Sequence, residues 1–388
     1  MDKIKFGIIG IGNMGTGYLE HFTAGRIING VVTAIADIVP ERLERAKARF
    51  VGEYACFNSG DELIENADVD AVIVTVPHYF HPPLAIKAFE KGLNVICDKP
   101  AGVYTKQVKE MNEAAKKSGK LFTMMYNQRT NPLYKKMREI VQSGEIGELR
   151  RVNWVITNWF RSQFYYDSGS WRATWKGEGG GVLMNQSPHQ LDLLQWICGM
   201  PKSVRAFCHF GKWHNMETED DVTAYLEFSN GATGAFITTT ADAPGSNRFE
   251  ITCSKGKLVC EKDSLVVTRL ECDVEEFIKT STDGFKMPNM SEEIIPIDGD
   301  NPQHVGILNN FANALLGLEP LYVNGEEGIN CVQLINAMLL STWANDTVNL
   351  PVDDEHYYAE LQKRVAFSSD KSTEDLLIDN SSSFGGTK

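Results

Sequence analysis

Short apolar runs alternate with helical patterns along the first 126 residues. The runs are rich in β-branched side chains, as strands buried on both faces of a sheet are. Five of them occur, at residues 4–9, 31–36, 71–76, 93–97 and 121–125. This alternation predicts a parallel sheet covered by helices on both faces, with ligands bound beyond the carboxyl ends of the strands.

The pattern changes after residue 126. Strand signals dominate residues 203–278, and residues 222–229 alternate between apolar and polar side chains, as an antiparallel strand with one buried face does. Asn230-Gly231 has the composition of a hairpin turn. We therefore predict an α/β chain with domains at residues 1–126 and 127–367, the second for substrate binding and oligomerisation. Residues 368–388 are expected to form a flexible or arm-like tail.

A glycine-rich segment joins the first predicted strand to the first helix. The first glycine of such a loop permits a tight turn, the second lets the backbone approach a pyrophosphate, and the third lets the helix pack on the strand. Free N–H groups at the start of the helix suit two phosphates. The spacing favours a dinucleotide-binding Rossmann domain over an ordinary βαβ turn. The residues of this loop are Gly10, Ile11, Gly12, Asn13, Met14 and Gly15.

Asp37 ends the next apolar run, 22 residues after Gly15. A carboxylate there can accept hydrogen bonds from an adenosine ribose and would repel a 2′-phosphate. Ile38 follows it, so we expect no basic residue beside Asp37, and NAD rather than NADP as the cofactor. The other predicted cofactor contacts stand at or near later strand ends, and are Thr75, Pro77, His81, Asp98, Lys99 and Asn127.

Composition narrows the class of protein. The chain has 388 residues, 43% hydrophobic and 23% charged, which suits a globular protein of two domains. Its net charge of −13 argues against a nucleic-acid partner. No apolar run approaches the ~18 residues that a bilayer span needs. Eight cysteines without a CxxC pair predict buried thiols, no metal site and a cytoplasmic protein.

Lys99 is a candidate for proton chemistry. Hydride transfer to a nicotinamide needs a group that removes the proton of the reacting hydroxyl. Lys99 follows a strand end on the predicted cofactor side, and Pro100 restricts the backbone after it. A lysine partly desolvated beside a positive nicotinamide would have a lowered pKa and could orient or relay the proton. On position alone, a solvated surface lysine is an equal alternative.

A second polar group follows the glycines at residues 179–181. Asn185 and His189 are four residues apart, so on a helix that starts near Ser187 the histidine would face back towards Asn185. Ser187 and Pro188 suit the N-cap and first helical positions. His189 could act as the general base on a sugar hydroxyl, although a histidine taken alone is more often a core residue.

A segment rich in aromatic and basic residues precedes these glycines. Aromatic rings can stack on the C–H face of a pyranose, while Arg, Gln and Tyr side chains reach its hydroxyls. The segment predicts a carbohydrate-binding lip, with a packed loop as the alternative. The predicted substrate contacts are Arg129, Arg161, Tyr165, Trp171, Arg172, Asn185 and His189.

These motifs together resemble a known family. The glycine loop, VPHYFHP, DKP, YNQRTNP, EIG and GGGVLMN with the later His and Leu-Asp occur in the order of the glucose-fructose oxidoreductase / inositol dehydrogenase (Gfo/Idh/MocA) family. The resemblance covers about residues 3–352. It implies a Rossmann domain followed by an α/β domain with a large open, mainly antiparallel sheet. It also implies catalysis by Lys99 and His189.

Two positions depart from the family pattern. Asp98 stands where the family more often has Glu, which keeps the charge. Asn185 stands where many members carry Asp. An amide cannot take a proton, although it can hold a substrate hydroxyl or the ring of His189. We therefore expect His189 to be the principal base, with Lys99 and Asn185 assisting.

The leading hypothesis is an NAD-dependent dehydrogenase that oxidises a secondary hydroxyl of a sugar, glycoside, anhydrosugar or cyclic polyol. The resemblance adds C3 of a glucoside-like pyranose as the favoured position. One alternative is a glycosidase or lyase that keeps NAD bound and uses transient oxidation; another is a non-enzymatic ligand sensor. We expect a small carbohydrate ligand, no nucleic-acid or membrane partner, and a homodimer or homotetramer built on the exposed sheet face.

Overall fold

The computed structural model describes residues 3–371. Its first part alternates strands and helices from residue 4 to residue 124. The elements are β1 Ile4–Ile9, α1 Asn13–Thr23, β2 Gly30–Ala36, α2 Pro40–Arg49, β3 Ala55–Phe57, α3 Gly60–Asn66, β4 Ala71–Val74, α4 His81–Glu90, β5 Asn94–Cys97, α5 Thr105–Ser118 and β6 Phe122–Met124. The six strands form one parallel sheet in the order β3-β2-β1-β4-β5-β6.

The apolar runs form the centre of this sheet because they can be buried on both faces. All four residues of β4 are fully buried, as are three of the four in β5. The strand order reverses between β1 and β4, and the crevice at such a reversal is where sheets of this type bind ligands. The predicted Rossmann sheet is confirmed.

The second part contains a larger sheet and most of the longer helices. Its elements are α6 Pro132–Gln142, β7 Leu149–Ile156, α7 Gln163–Asp167, α8 Val182–Asn185, α9 Pro188–Cys198, β8 Ser203–Phe210, β9 Glu219–Glu227, β10 Thr233–Thr239, β11 Asn247–Cys253, β12 Gly256–Glu261, β13 Ser264–Leu270, α10 Val274–Thr280, β14 Met290–Ile295, α11 Gln303–Leu315, α12 Gly328–Ala344, β15 Val348–Asn349 and α13 Asp354–Val365. Short 3₁₀ helices cover His78–Phe80, Asn127–Thr130 and Gly325–Glu327.

Nine strands form the second sheet, in the order β14-β13-β12-β11-β7-β10-β9-β8-β15. Only the pair β7–β10 is parallel, so the predicted mainly antiparallel sheet is confirmed. In β9, Val222, Ala224 and Leu226 are buried, whereas Thr223 and Tyr225 face outwards. α12 packs on the buried face against β8 and α9. The other face is left exposed.

The C-terminal helices return to the first sheet. Asn309 of α11 accepts a hydrogen bond from the main-chain N–H of Ile28 (2.9 Å), and Thr105 at the start of α5 donates to Asp354 of α13 (2.7 Å). Helices after residue 126 therefore contact the first part of the molecule, so residue 126 does not divide the chain into two parts without contacts. The predicted domain boundaries stay predictions.

Residues 368–371 lie against the second part of the molecule. Ser369 Oγ donates to Glu217 (2.6 Å), and Lys371 Nζ donates to the main-chain oxygen of Tyr166 (3.1 Å). The rest of the predicted tail, residues 372–388, lies outside the described residues. Within residues 3–371, no helix combines the length and apolar character required to cross a bilayer, and no three His, Cys, Asp or Glu side chains are grouped for a metal ion.

Candidate active site

One cavity of about 560 Å³ lies where the carboxyl ends of β1, β2, β4 and β5 face α8 and α9. Most of the residues predicted from the sequence line it. They are Gly10, Gly12, Asn13, Met14, Asp37, Thr75, Pro77, His81, Asp98, Lys99, Arg161, Tyr165, Trp171, Arg172, Asn185 and His189. Ile11, Gly15, Asn127 and Arg129 are not among the lining residues.

The glycine loop has the shape of a phosphate cradle. Gly10 has a positive φ of 96°, and a Cβ on it would lie 2.5 Å from the main-chain oxygen of Thr75. A Cβ on Gly15 would lie 1.9 Å from the main-chain oxygen of Gly10, so only glycine lets α1 approach the loop this closely. A Cβ on Gly12 would meet no atom within 4 Å, because it would point into the cavity. The space above Gly12 and the N-terminus of α1 therefore fit a pyrophosphate.

Asp37 lies at the far end of the same cavity. Its carboxylate accepts hydrogen bonds from the main-chain N–H groups of Ile11 (2.7 Å) and Val39 (2.9 Å). Ile11 therefore supports Asp37 through its main chain. Arg42 Nη1 lies 3.5 Å from the same carboxylate, so the expectation that no basic residue stands near Asp37 is wrong. Arg42 comes from the first turn of α2, where it is five residues away in sequence but adjacent in space.

Lys99 follows β5 and reaches across to the second part of the molecule. Its Nζ donates a hydrogen bond to the main-chain oxygen of Asn185 (2.6 Å). The Asp98 carboxylate accepts from the Lys99 main-chain N–H (2.8 Å) and from the Tyr18 hydroxyl (2.9 Å), which fixes the strand end. Burial lowers the pKa of Lys99 from its usual value, and the opposing effect of Asp98 is smaller.

Asn185 and His189 do not share one helix. α8 ends at Asn185 and α9 begins at Pro188, so Pro188 occupies the predicted first position. Ser187 occupies the predicted N-cap position, but its side chain makes no capping hydrogen bond, because its hydroxyl pairs with Thr238 (3.1 Å). The break still leaves Asn185 and His189 lining the same cavity.

His189 is held as a neutral imidazole. Burial lowers its pKa well below the usual value, and the charges of Lys99 and His304 lower it further. Its Nδ1 is buried without a hydrogen-bond partner among the described residues. A neutral imidazole facing a cavity can accept a proton at neutral pH.

The aromatic segment forms one wall of the cavity. The Tyr165 hydroxyl accepts hydrogen bonds from Arg172 Nη1 (2.6 Å) and Gln186 Nε2 (3.2 Å). The guanidinium groups of Arg172 and Arg161 lie 4.4 and 5.1 Å from the centre of its ring. Trp159 also lines the wall, with its buried Nε1 lacking a partner among the described residues. Aromatic rings and polar atoms on one wall suit a sugar.

Two predicted residues lie elsewhere. Arg129 Nε and Nη2 donate to both oxygens of Asp192 (2.8 and 2.6 Å), and Nη1 donates to Glu327 (2.7 Å). Its side chain is 1% exposed, which argues against the predicted substrate contact. Asn127 is also fully buried, its amide donates to Gln303, and it does not line the cavity.

Several cavity residues were not among the predicted contacts, and four of them are His78, His304, Gln186 and Trp159. His78 and His304 line the cavity, and burial lowers the pKa of both, that of His304 to about 4. Gln186 lies beside Asn185, with its buried Oε1 lacking a partner among the described residues. Trp159 belongs to the aromatic segment predicted as a carbohydrate-binding lip, and His78 and Gln186 stand next to predicted contacts, whereas His304 had no sequence signal.

Glu178 also escaped prediction, although it directly precedes the three glycines. It lies just behind the cavity wall, 1% exposed. One of its carboxylate oxygens accepts a hydrogen bond from Asn185 Nδ2, and the other accepts from the main-chain N–H of Ala173 (2.6 Å). Burial raises its pKa, while Arg172 and these hydrogen bonds oppose the rise.

Models of known protein families match both parts of the chain. An oxidoreductase family with an NAD-binding Rossmann fold matches residues 4–126, and the GFO/IDH/MocA C-terminal domain matches residues 134–259. Together the two matches span more than half of the 388 residues. The chain belongs to the Gfo/Idh/MocA family. Because this is a family of NAD-binding oxidoreductases, the predicted enzyme class and the NAD cofactor are confirmed.

Individual relatives of this Gfo/Idh/MocA protein are dehydrogenases. It is 27% identical to 1-carboxy-3-chloro-3,4-dihydroxycyclohexa-1,5-diene dehydrogenase of Comamonas testosteroni, over 59% of this chain but only 56% of that enzyme. It is 26% identical to myo-inositol 2-dehydrogenase of Thermotoga maritima, over 66% of this chain and 75% of that enzyme. The structure of the WlbA dehydrogenase of Bordetella pertussis with NADH and UDP-GlcNAcA is similar, with a TM-score of 0.76, 25% identity, and 90% and 100% of the two chains covered.

Proposed function

We propose that this protein oxidises a secondary hydroxyl of a sugar, glycoside, anhydrosugar or cyclic polyol, with C3 of a glucoside-like pyranose as the favoured position. The observation that carries the proposal is the meeting of Lys99 and His189 in the cavity that also contains the glycine loop. Lys99 comes from the NAD-binding sheet and His189 from α9, so the proton chemistry lies between cofactor and substrate sites.

His189 is the base in this proposal. When bound, NAD supplies the hydride acceptor; Gly12, Asp37 and the start of α1 would hold it. Burial keeps His189 neutral, so it can take the hydroxyl proton as the C–H bond breaks. Lys99, fixed on the main-chain oxygen of Asn185, polarises the same hydroxyl oxygen. The Lys99 ammonium also stabilises the negative charge that develops on this oxygen.

The aromatic wall supports a carbohydrate as the substrate. Tyr165, Trp159 and Trp171 supply ring faces, while Arg161 and Arg172 supply donors. The names of two relatives point the same way, since one acts on myo-inositol and another was crystallised with a nucleotide sugar. Both compounds carry secondary hydroxyls on a ring, which is the group that the proposed chemistry requires.

The test is oxidation of a panel of monosaccharides, inositols, anhydrosugars and glycosides, measured as NADH formation. Lys99→Ala and His189→Ala should each lower kcat by orders of magnitude, with NAD affinity largely kept. Lys117→Ala and His356→Ala replace exposed residues of the same types and serve as matched controls. Full activity in both active-site variants would contradict the assignment.

The same panel separates oxidation from bond cleavage. A glycosidase or lyase with trapped NAD would consume a glycoside without net NADH, and denaturation of the purified protein would release stoichiometric NAD or NADH. Accumulation of NADH and an oxidised sugar supports the dehydrogenase. Glycoside cleavage without net NADH would refute it in favour of the trapped-cofactor reaction.

We further propose that the exposed face of the nine-stranded sheet forms a homodimer or homotetramer. Phe207 of β8 and Tyr225 of β9 are about half exposed on this face, where a partner sheet could cover them. Phe207→Glu should then dissociate the assembly in sedimentation velocity, because a charge would be buried at the interface. An unchanged sedimentation coefficient would argue against this surface.

A further inference from the structure

Glu178 joins three parts of the candidate site through three different oxygens. Its two carboxylate oxygens accept from the main-chain N–H of Ala173 (2.6 Å) and from Asn185 Nδ2. Its main-chain oxygen accepts from Nδ1 of His78 (3.2 Å). The contacts therefore tie the aromatic segment, the end of α8 and the nucleotide-binding sheet to one buried residue.

The chemistry of a carboxylate decides which way the Asn185 amide faces. An ionised carboxylate can only accept hydrogen bonds, and both Glu178 oxygens do so here. Asn185 must therefore turn its nitrogen towards Glu178. The remaining amide oxygen, Oδ1, is then the atom that Asn185 can offer to the cavity that it lines.

We infer that Glu178 is a positioning residue that sets the hydrogen-bond polarity of Asn185, so that residue 185 offers an acceptor to a substrate hydroxyl. The inference rests on the proposed function, because it requires a substrate with a hydroxyl at this point. The inference also accounts for Asn185, a residue that departs from the motif pattern described in the sequence analysis. An aspartate at position 185 would offer an acceptor without help, whereas an asparagine does so only when its amide orientation is fixed.

Exchanging the two functional groups tests this assignment. In Glu178→Gln, the glutamine oxygen can keep the Ala173 bond, but its nitrogen faces Asn185, which must flip and turn Nδ2 to the cavity. In Asn185→Asp, two carboxylates meet and one must take a proton. In the double variant E178Q/N185D, the glutamine donates to the aspartate, and an acceptor oxygen faces the cavity again.

Each single variant should lower kcat/KM for the sugar by at least about tenfold, while the NAD dissociation constant stays within about threefold. The double variant should recover to within about fivefold of the wild type. Glu217→Gln is a matched control, because Glu217 accepts from the main-chain N–H of Trp175 (3.1 Å) on the same segment. A double variant whose loss equals the product of the two single losses would overturn the inference.

Urea unfolding without substrate gives a second readout. Both single variants should unfold at lower urea concentration than the wild type, and the double variant should recover at least part of the loss. If the wild type oxidises no member of the panel but this coupling is present, the proposed function fails while the Glu178–Asn185 polarity is supported. Additive effects on unfolding would overturn the polarity assignment, whatever the turnover shows.

Discussion

Replacing Arg129 with methionine would leave the carboxylate of Asp192 buried without its counter-ion. Both side chains are 1% exposed, and two hydrogen bonds of 2.8 and 2.6 Å join them. Removing one partner of a buried pair costs about 3–5 kcal/mol, because the remaining charge is uncompensated. The third contact of Arg129, with Glu327, adds little, since the Glu327 side chain is 40% exposed and solvent screens the pair.

The expected loss for Arg129→Met is therefore about 3–5 kcal/mol in the free energy of unfolding, measured by urea denaturation. Arg138→Met is the matched control. Both guanidinium groups lie over the Trp196 ring, at 5.3 Å for Arg129 and 4.6 Å for Arg138, but Arg138 donates to a main-chain oxygen rather than to a buried carboxylate. The control should lose about 1 kcal/mol or less.

A second variant separates charge from packing. R129M/D192L removes both charges and should regain much of the lost stability, because apolar residues can replace a buried ion pair at little cost. The reasoning would be refuted if R129M were as stable as R138M while KM for the sugar rose at least tenfold. That result would restore the substrate contact that the sequence predicted for Arg129.

Three further predictions concern catalysis and cofactor binding. Since burial lowers the pKa of His189, it stays unprotonated at lower pH than an ordinary imidazole, and the acid limb of kcat/KM should lie below pH 6.5; a limb at or above 6.5 would contradict this. Gly12→Ala and Gly15→Ala should both weaken NAD binding in equilibrium titrations, but only Gly15→Ala should lower the melting temperature, because its Cβ meets backbone. Asp37→Ala should raise the NADP-to-NAD ratio of kcat/KM, because Arg42 would then face the 2′-phosphate without a competing carboxylate; an unchanged ratio would show that Arg42 does not reach the cofactor.

The features that the sequence predicted well are encoded in contiguous segments. The loop from Gly10 to Gly15 needs glycines at fixed positions. A Cβ on Gly10 or Gly15 would collide with main-chain oxygens, whereas Gly12 faces the space for the pyrophosphate. The strand that ends before Asp98 is also encoded locally, since a buried parallel strand requires a continuous apolar run. Such constraints act within a few residues, so the order of side chains reveals them.

The missed and misplaced residues depend on contacts between distant segments. Arg129 stands just after a strand end, where cavity residues are expected, yet its guanidinium turns to Asp192, 63 residues further on. His304 enters the cavity from the start of α11, more than a hundred residues after His189. No local sequence pattern predicts the Arg129–Asp192 pair or the position of His304, because both depend on how segments distant in sequence pack together.

Lys99 and His189 are held in place by different physical means. Lys99 is anchored by a 2.6 Å charge-assisted hydrogen bond to the main-chain oxygen of Asn185, which any residue at that position would also provide. His189 is held by burial, with no partner on Nδ1 among the described residues. Changes of the side chain at position 185 can therefore alter the acceptor offered to a substrate hydroxyl without removing the lysine's anchor. This separation explains how the site can carry asparagine at position 185 and still keep its ammonium and imidazole in one cavity.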